Sequence, residues 1–219
     1  MFITFEGIDG SGKTTHARLL VEHLRSEGLK PLLVREPGGT ALSERVRALL
    51  LDPEADVTPR AELLLFSAAR AQLVEEAIRP ALAEGRPVVC DRFYDSTTAY
   101  QGGGRQIAPT GWLEAFHRFV TARLEPDRTF LVDVPPEVAA RRRDADDRDR
   151  IEAAGTAFFE RVRAAYLHLA ERDPERVRVL DGTRTIEALH GEILRDLTRL
   201  RSRPRGDRPT GGTAPPASG

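Results

Sequence analysis

Phe2-Ile3-Thr4-Phe5-Glu6-Gly7-Ile8-Asp9-Gly10-Ser11-Gly12-Lys13-Thr14-Thr15 carries the reading of the fold. Gly7 to Thr14 spell G-x-x-x-x-G-K-[ST], the pattern of a loop whose backbone N–H groups curl around a polyphosphate. Phe2 to Phe5 before it read as a short buried strand. Thr15 to Glu27 after it read as a helix, with Ala17, Leu19, Leu20, Val21 and Leu24 on one apolar face. In that setting the glycines let amides turn toward phosphate oxygens, and the helix N-terminus adds partial positive charge. Lys13 then reaches the β- and γ-phosphates, and the Thr14 hydroxyl holds Mg²⁺. Lys13 and Lys30 are the only lysines among 33 Lys and Arg residues, so a lysine kept at this position is a further pointer. The stretch predicts a nucleotide-binding loop, not a plain glycine turn.

Outward from it, strand and helix patterns alternate. They predict an α/β, three-layer P-loop NTPase fold with a five-stranded parallel sheet flanked by helices. The expected strands are Phe2–Phe5, Leu32–Val34, Val88–Cys90 ending in Asp91, Thr129–Val134 and Val177–Leu180. Helices are expected over Ala41–Leu51, over Pro59–Leu82 as one long helix or a bent pair, and over Gly111–Leu124. Others start at Pro136 and run to Arg143, or cover Ala157–Glu171 and Ile186–Leu200. Between Arg141 and Arg150 arginines alternate with aspartates, and residues 141–151 are expected to form a flexible lid. Residues 1–200 make one domain. From 201 to 219 Pro, Gly, Arg and Ser dominate, which predicts a disordered tail.

Composition excludes several function classes. A chain of 219 residues with 40% hydrophobic and 31% charged residues suits one globular domain with a sizeable core. A net charge of −1 leaves no basic footprint for nucleic acid. The lone Cys90 rules out an internal disulfide and fits a reducing cytoplasm. No apolar run approaches the ~18 residues of a membrane span, and with a strand at the opening of the sequence no signal peptide is expected. His16, His23, His117, His168 and His190 show no metal-ligand spacing and are expected on helix surfaces.

Four further constellations bear on chemistry. Asp91-Arg92 closes the third expected strand, and parallel α/β sheets bind ligands beyond the carboxyl ends of their strands. Asp91 can therefore reach the Mg²⁺ hydration shell opposite Thr14, and Arg92 can clamp an acceptor phosphate through two N–H groups; taken alone, the pair reads equally as a turn residue beside a solvated arginine. Arg35-Glu36-Pro37-Gly38-Gly39 permits close backbone approach to a ligand, or simply turns the chain. Phe66 and Arg70 stand one helical turn apart. That spacing suits a ring stacked on a base with a guanidinium at its edge, and equally a core Phe beside a surface Arg. Ser96-Thr97-Thr98-Ala99-Tyr100-Gln101-Gly102-Gly103-Gly104-Arg105 gathers hydroxyls, an amide and a tyrosine ahead of a three-glycine turn. It reads as too polar for the core and as a substrate wall near Arg92. Because Gly10 leaves no basic residue after Asp9, the cation that meets a transferring phosphoryl group is expected from the arginines of 141–150.

Taken together, FEGIDGSGKTT at 5–15, REPGGT at 35–40, the Phe66–Arg70 pair, DRFYDSTTAYQGGGR at 91–105 and DRIE at 149–152 resemble the bacterial thymidylate kinases. The resemblance runs from Phe2 to about Leu200. It implies a nucleoside-monophosphate-kinase type of P-loop domain with ATP and dTMP as substrates, Mg²⁺ beside the ATP, and a homodimer. ATP would be held by Gly7, Ile8, Asp9, Gly10, Ser11, Gly12, Lys13, Thr14 and Thr15, and the metal by Thr14, Asp91 and Asp9. On the same resemblance Phe66 would stack on thymine, Arg70 would meet its O4 edge, Thr97 and Gln101 would complete the base site, and Ser96 would also bind dTMP. Tyr100 would crowd the sugar C2′ and Asp9 would approach its 3′-hydroxyl. Arg92, Arg47 and Glu36 would organise the acceptor phosphate, and Arg142 and Arg148 are the expected lid arginines.

The reaction so implied is transfer of the γ-phosphoryl of ATP to dTMP, giving dTDP and ADP. The acceptor phosphate has a second pKa of about 6 and is largely dianionic at pH 7, so no general base is required. Three other readings stay open on sequence: a deoxynucleoside kinase, which would need a carboxylate base, a kinase for another monophosphate, and a non-catalytic P-loop nucleotide-binding module.

Overall fold

Side chains of a strand alternate between faces, and in β1 (Phe2–Glu6) both sets are buried, as a central parallel strand requires. The computed structural model describes residues 1–142 and 155–202. Its other strands are β2 (Leu32–Arg35), β3 (Val88–Asp91), β4 (Arg128–Asp133) and β5 (Val177–Asp181), in the order β2-β3-β1-β4-β5. All neighbours are parallel, with Phe2 opposite Val88 and Ile3 opposite Arg128. The helices are α1 (Lys13–Ser26), α2 (Ala41–Leu51), α3 (Pro59–Leu73), α4 (Arg79–Ala83), α5 (Tyr94–Thr97), α6 (Thr110–Val120), α7 (Pro136–Arg142), α8 (Thr156–Arg172) and α9 (Ile186–Ser202). The five expected strands are thus the five found, and the fold is α/β with helices on both sides of the sheet.

On one face Ile3, Phe5, Val89, Phe130 and Val132 pack against Ala17, Leu20, Val21 and Leu24 of α1 and Leu189, Ile193 and Leu197 of α9. Leu20 and Leu24 are fully buried, each contributing about 1.5–3 kcal/mol by leaving water. On the other face Phe2, Val34, Val88 and Cys90 meet Leu73, Val74, Ile78 and Ala81. Beside them Leu131, Val134 and Val177 meet Phe158, Phe159, Val162 and Tyr166 of α8. Cover is complete over β1, β3 and β4, whereas Leu33 of β2 and Val179 of β5 remain exposed at the edges.

Several polar residues inside this sheet pair with one another. The Thr4 and Thr129 hydroxyls lie 2.8 Å apart, and the Arg176 guanidinium grips Asp95 at 2.6 and 3.0 Å while also donating to Thr129. Asp95 belongs to α5, so this closed network seats α5 on the sheet.

Several boundaries differ from expectation for identifiable reasons. Of the two forms expected for Pro59–Leu82 the divided one is found: α3 passes through a π-helical turn, Val74–Ile78, into α4, which ends at Ala83. Pro80 has no N–H to return to the preceding turn, and the ladder loosens there. The three glycines at 102–104 do not form a turn; they lie within a π-helix, Thr98–Gly104. That segment is also not excluded from the core: Thr97, Thr98, Ala99, Tyr100 and Gln101 are all buried, because their polar groups find partners. The α6 helix stops at Val120, short of Leu124, where Ala122 and Arg123 take positive φ. His16 and His117 are buried instead of lying on helix surfaces. Finally, α9 runs through Arg201 and Ser202, past the expected start of the tail, with Arg201 bonded to Glu27 at 2.7 Å. The remainder of that tail, and the lid from residue 143 with Arg148, lie outside the described residues.

Candidate active site

The phosphate loop joins the end of β1 to the start of α1. Gly7 has φ 140°, and a Cβ there would stand 2.5 Å from the Val132 carbonyl oxygen, so no other residue fits. Gly10 turns the loop, Ile8 anchors it in the core and Gly12 opens α1 without any side-chain cap, leaving the first N–H groups of the helix to a ligand. The Lys13 ammonium lies 3.4 Å from the Ile8 carbonyl and 3.3 Å from Asp9. Thr14 donates to Asp91 at 2.5 Å, which brings the start of α1 and the end of β3 together. The Ser11 hydroxyl and Asp91 Oδ1 are buried with no hydrogen-bond partner among the described residues. Uncapped amides, an ammonium and a half-used carboxylate beside a hydroxyl are a fitting donor set for a metal-bearing polyphosphate. Thr15 is exposed on the first turn of α1.

Arg92 is the junction. Its backbone sits at φ 71°, an uncommon left-handed conformation for a residue with a side chain. The guanidinium donates to the Gly7 carbonyl at 2.9 Å, to Ser96 at 3.1 Å, to Asp9 at 2.6 Å and to the Tyr100 hydroxyl at 3.2 Å. It also lies over the Tyr100 ring, 5.1 Å from its centroid. Tyr100 in turn donates to Asp9 at 2.9 Å. Desolvation opposes ionisation of Asp9, but the charges of Arg92 and Lys13 and the bonds from Arg92 and Tyr100 hold its carboxyl well below the usual range. Asp9 is therefore an anion at neutral pH, fixed between two cations.

Beyond Arg92 the pocket is built on α3 and the Thr98–Gly104 segment. Arg70 is fully buried, not at the surface; it donates to Glu36 at 2.7 Å, to Thr97 at 3.0 Å and to the Phe93 carbonyl at 3.3 Å. Glu36 is thus engaged with Arg70. Burial pushes its carboxyl up while the Arg70 charge pulls it down, and burial prevails. Phe66 is half-buried and lines the same cavity, and Arg47 reaches it with a bond to the Pro37 carbonyl at 3.0 Å. Gln101 donates to Glu62 at 2.8 Å.

These residues form two adjoining cavities. One, of about 90 Å³, is enclosed by Phe66, Arg70, Thr97, Tyr100 and Gln101 among others. The other, of about 440 Å³, opens over Lys13, Thr14 and Asp91. Asp9, Glu36, Arg47 and Arg92 line both, so they form the wall between them. Arg142 stands apart, exposed in the last turn of α7.

Four site residues escaped the sequence reading. Glu6 is buried at the end of β1 and accepts from the Phe93 and Ser96 amides, the Ser96 hydroxyl and the Tyr166 hydroxyl. A carboxylate in a largely apolar central strand was its signal. Glu44 ties the glycine turn through Gly39 and Arg35. Glu62 precedes Phe66 by one helical turn, so spacing could have found it. Tyr166 lies on α8, and no local pattern marks it.

A phosphate loop at the head of a parallel sheet, facing a second cavity across an arginine, defines the nucleoside-monophosphate-kinase class of P-loop proteins. The family model for thymidylate kinase matches residues 5–193. The thymidylate kinase of Pseudomonas putida (strain W619) is 49% identical over 208 residues, covering 94% of this chain and all of that one. That of Chlorobium chlorochromatii (strain CaD3) is 48% identical over 217 residues, covering 92% and 96%. The crystal structure of thymidylate kinase from Ehrlichia chaffeensis superposes with a TM-score of 0.74 at 38% identity, covering 90% of this chain and 98% of that one. The chain belongs to the thymidylate kinase family and phosphorylates dTMP to dTDP. The deoxynucleoside kinase and the non-catalytic module are thereby set aside, as is a kinase for another monophosphate.

Proposed function

We propose that the phosphoryl donor is ATP carrying Mg²⁺, bound over Lys13 and Thr14, and that dTMP occupies the cavity around Phe66 and Arg70. The wall shared by the two cavities carries this reading: Arg92, held by Asp9 and the Gly7 carbonyl, is positioned to meet the anion in either one. Thr14, Asp91 and Asp9 would hold the metal, which supplies charge neutralisation at the β- and γ-phosphates. Lys13 meets the polyphosphate as a point charge, and Arg92 orients the acceptor phosphate. Arg142 and Arg148 would bring the last positive charge when the lid closes. No side chain is asked to remove a proton, since the acceptor is already an anion.

At the base end Phe66 offers a ring face and Arg70 a buried donor, which suits a thymine carbonyl. Tyr100, fixed against Arg92 and Asp9, would crowd the sugar C2′ and so disfavour ribose. We assign the working form as a cytoplasmic homodimer. Leu42 and Leu49 of α2, Leu64 of α3, and Trp112 and Phe119 of α6 are exposed apolar residues on helices that pack side by side, Phe119 at 83%. Among the described residues no helix is long and apolar enough to cross a membrane. The deciding experiment is Lys13→Ala assayed for ADP release with dTMP. Loss of kcat by a hundred-fold or more, with an unchanged circular dichroism spectrum, is expected on the scale of removing one transition-state donor. Turnover like the parent would refute the assignment.

A further inference from the structure

Glu62, Phe66 and Arg70 follow one another at intervals of four along α3 and so share a helix face. The outer two are buried carboxylate and buried guanidinium, and each fixes a partner on the Thr98–Gly104 side of the pocket or just before it. Arg70 holds Thr97, whereas Glu62 receives the Gln101 side-chain N–H at 2.8 Å. The Arg105 guanidinium lies 3.4 Å from Glu62 Oε1 and 3.3 Å from Oε2. Both Glu62 and Gln101 are almost fully buried, at 1% and 2% exposure.

A carboxylate paired with arginine has lone pairs only. It can accept from Gln101 Nε2 and has nothing to offer Oε1. The amide orientation of Gln101, ordinarily ambiguous, is therefore decided by its neighbour. With Nε2 committed to Glu62, Gln101 Oε1 accepts no hydrogen bond among the described residues and is the polar atom left for the cavity that Gln101 lines.

We propose that Glu62 is a specificity-determining positioning residue: it locks Gln101 with its carbonyl oxygen toward the base and so selects thymine over cytosine. The inference rests on dTMP occupying the Phe66–Arg70 cavity. Thymine presents an acceptor at O4 and a donor at N3–H. Arg70 supplies donors and Gln101 an acceptor, a match at both positions. Cytosine reverses both, placing an amino group toward Arg70 and a bare N3 lone pair toward Gln101. A buried mismatch of this kind is penalised far more than a lost contact, because neither group recovers water.

The test is Glu62→Gln, with dTMP and 5-methyl-dCMP as acceptors, since these differ only at the two edge positions. With Arg105 holding the new amide oxygen, its NH₂ faces Gln101, whose carboxamide must then turn over. KM for dTMP should rise about ten-fold or more, and the preference in kcat/KM for dTMP over 5-methyl-dCMP should fall by at least the same factor. Equal losses on both acceptors would make Glu62 merely structural and overturn the proposal, as would parent-like constants. Gln101→Leu separates this failure from that of the pocket assignment: if its KM for dTMP is unchanged, the base does not lie there at all. Should Glu62→Gln not fold, the parent protein with ¹⁵N-labelled glutamine side chains gives the answer. Gln101 NH₂ protons that stay protected from exchange both free and with dTMP bound support the lock, and release on binding overturns it.

Discussion

At His117 the chain buries an ionisable ring. Its Nε2 lies 2.9 Å from the Thr98 hydroxyl and its ring stacks on Tyr94, with centroids 5.3 Å apart. Burial, with the Arg70 charge as a second cause, lowers its pKa to about 3. Below pH 6.5 the unfolded chain therefore binds a proton that the folded chain refuses, and stability falls as pH falls until about 3. At pH 5 this costs about 2 kcal/mol. His117→Gln should lose that much less between pH 7 and pH 5 in urea denaturation, while His16 and His190 contribute the same slope to both proteins. Equal acid losses would contradict the assignment. Sequence placed His117 on a helix surface because a single histidine on α6 carries no mark of its neighbours. The same limit applied to Arg70: its helical partnership with Phe66 was visible, but its complete burial depended on Glu36, 34 positions away.

The element that carries most of the site is the π-helix Thr98–Gly104. Widening the helix here aligns Tyr100 with Asp9 and Gln101 with Glu62, and it leaves Gly103 and Gly104 on the side that α8 crosses, while Gly102 faces Leu113 of α6. A Cβ on Gly103 would lie 2.4 Å from the Ala165 Cβ and 3.3 Å from the Arg161 carbonyl. Gly103→Ala should therefore force α8 outward and destabilise the fold by about 1–3 kcal/mol, read from the urea midpoint. Because α8 presents Tyr166 to Glu6 and Ser96, kcat should fall as well. A variant as stable and as active as the parent would show that α8 does not need this close approach. From sequence the segment looked like a polar wall ending in a turn. Its polar content was legible and its burial was not, because Thr98, Gln101 and Tyr100 become compatible with a core only once His117, Glu62 and Asp9 are brought to them.

At the scale of the molecule, the sheet order places β1 and β3 side by side, which is why Asp9 and Arg92 meet although 83 positions separate them. The exposed apolar residues of α2, α3 and α6 are the proposed subunit contact. Leu64→Glu, at a position already 59% exposed, should leave the monomer folded and shift sedimentation from dimer to monomer. A parent-like dimer would move the interface elsewhere. Local physics was enough for the strands, the phosphate loop and the α/β class: alternation, glycine placement and helix periodicity act over a few residues and were readable directly from the chain. Motif resemblance carried the chemistry as far as two anions at one sheet edge. The amide polarity of Gln101, the partners of Glu6 and Glu62, the role of Tyr166 and the neutral state of His117 came from assembly. Each depends on desolvation and on a partner far along the chain, and neither exists until the layers have packed.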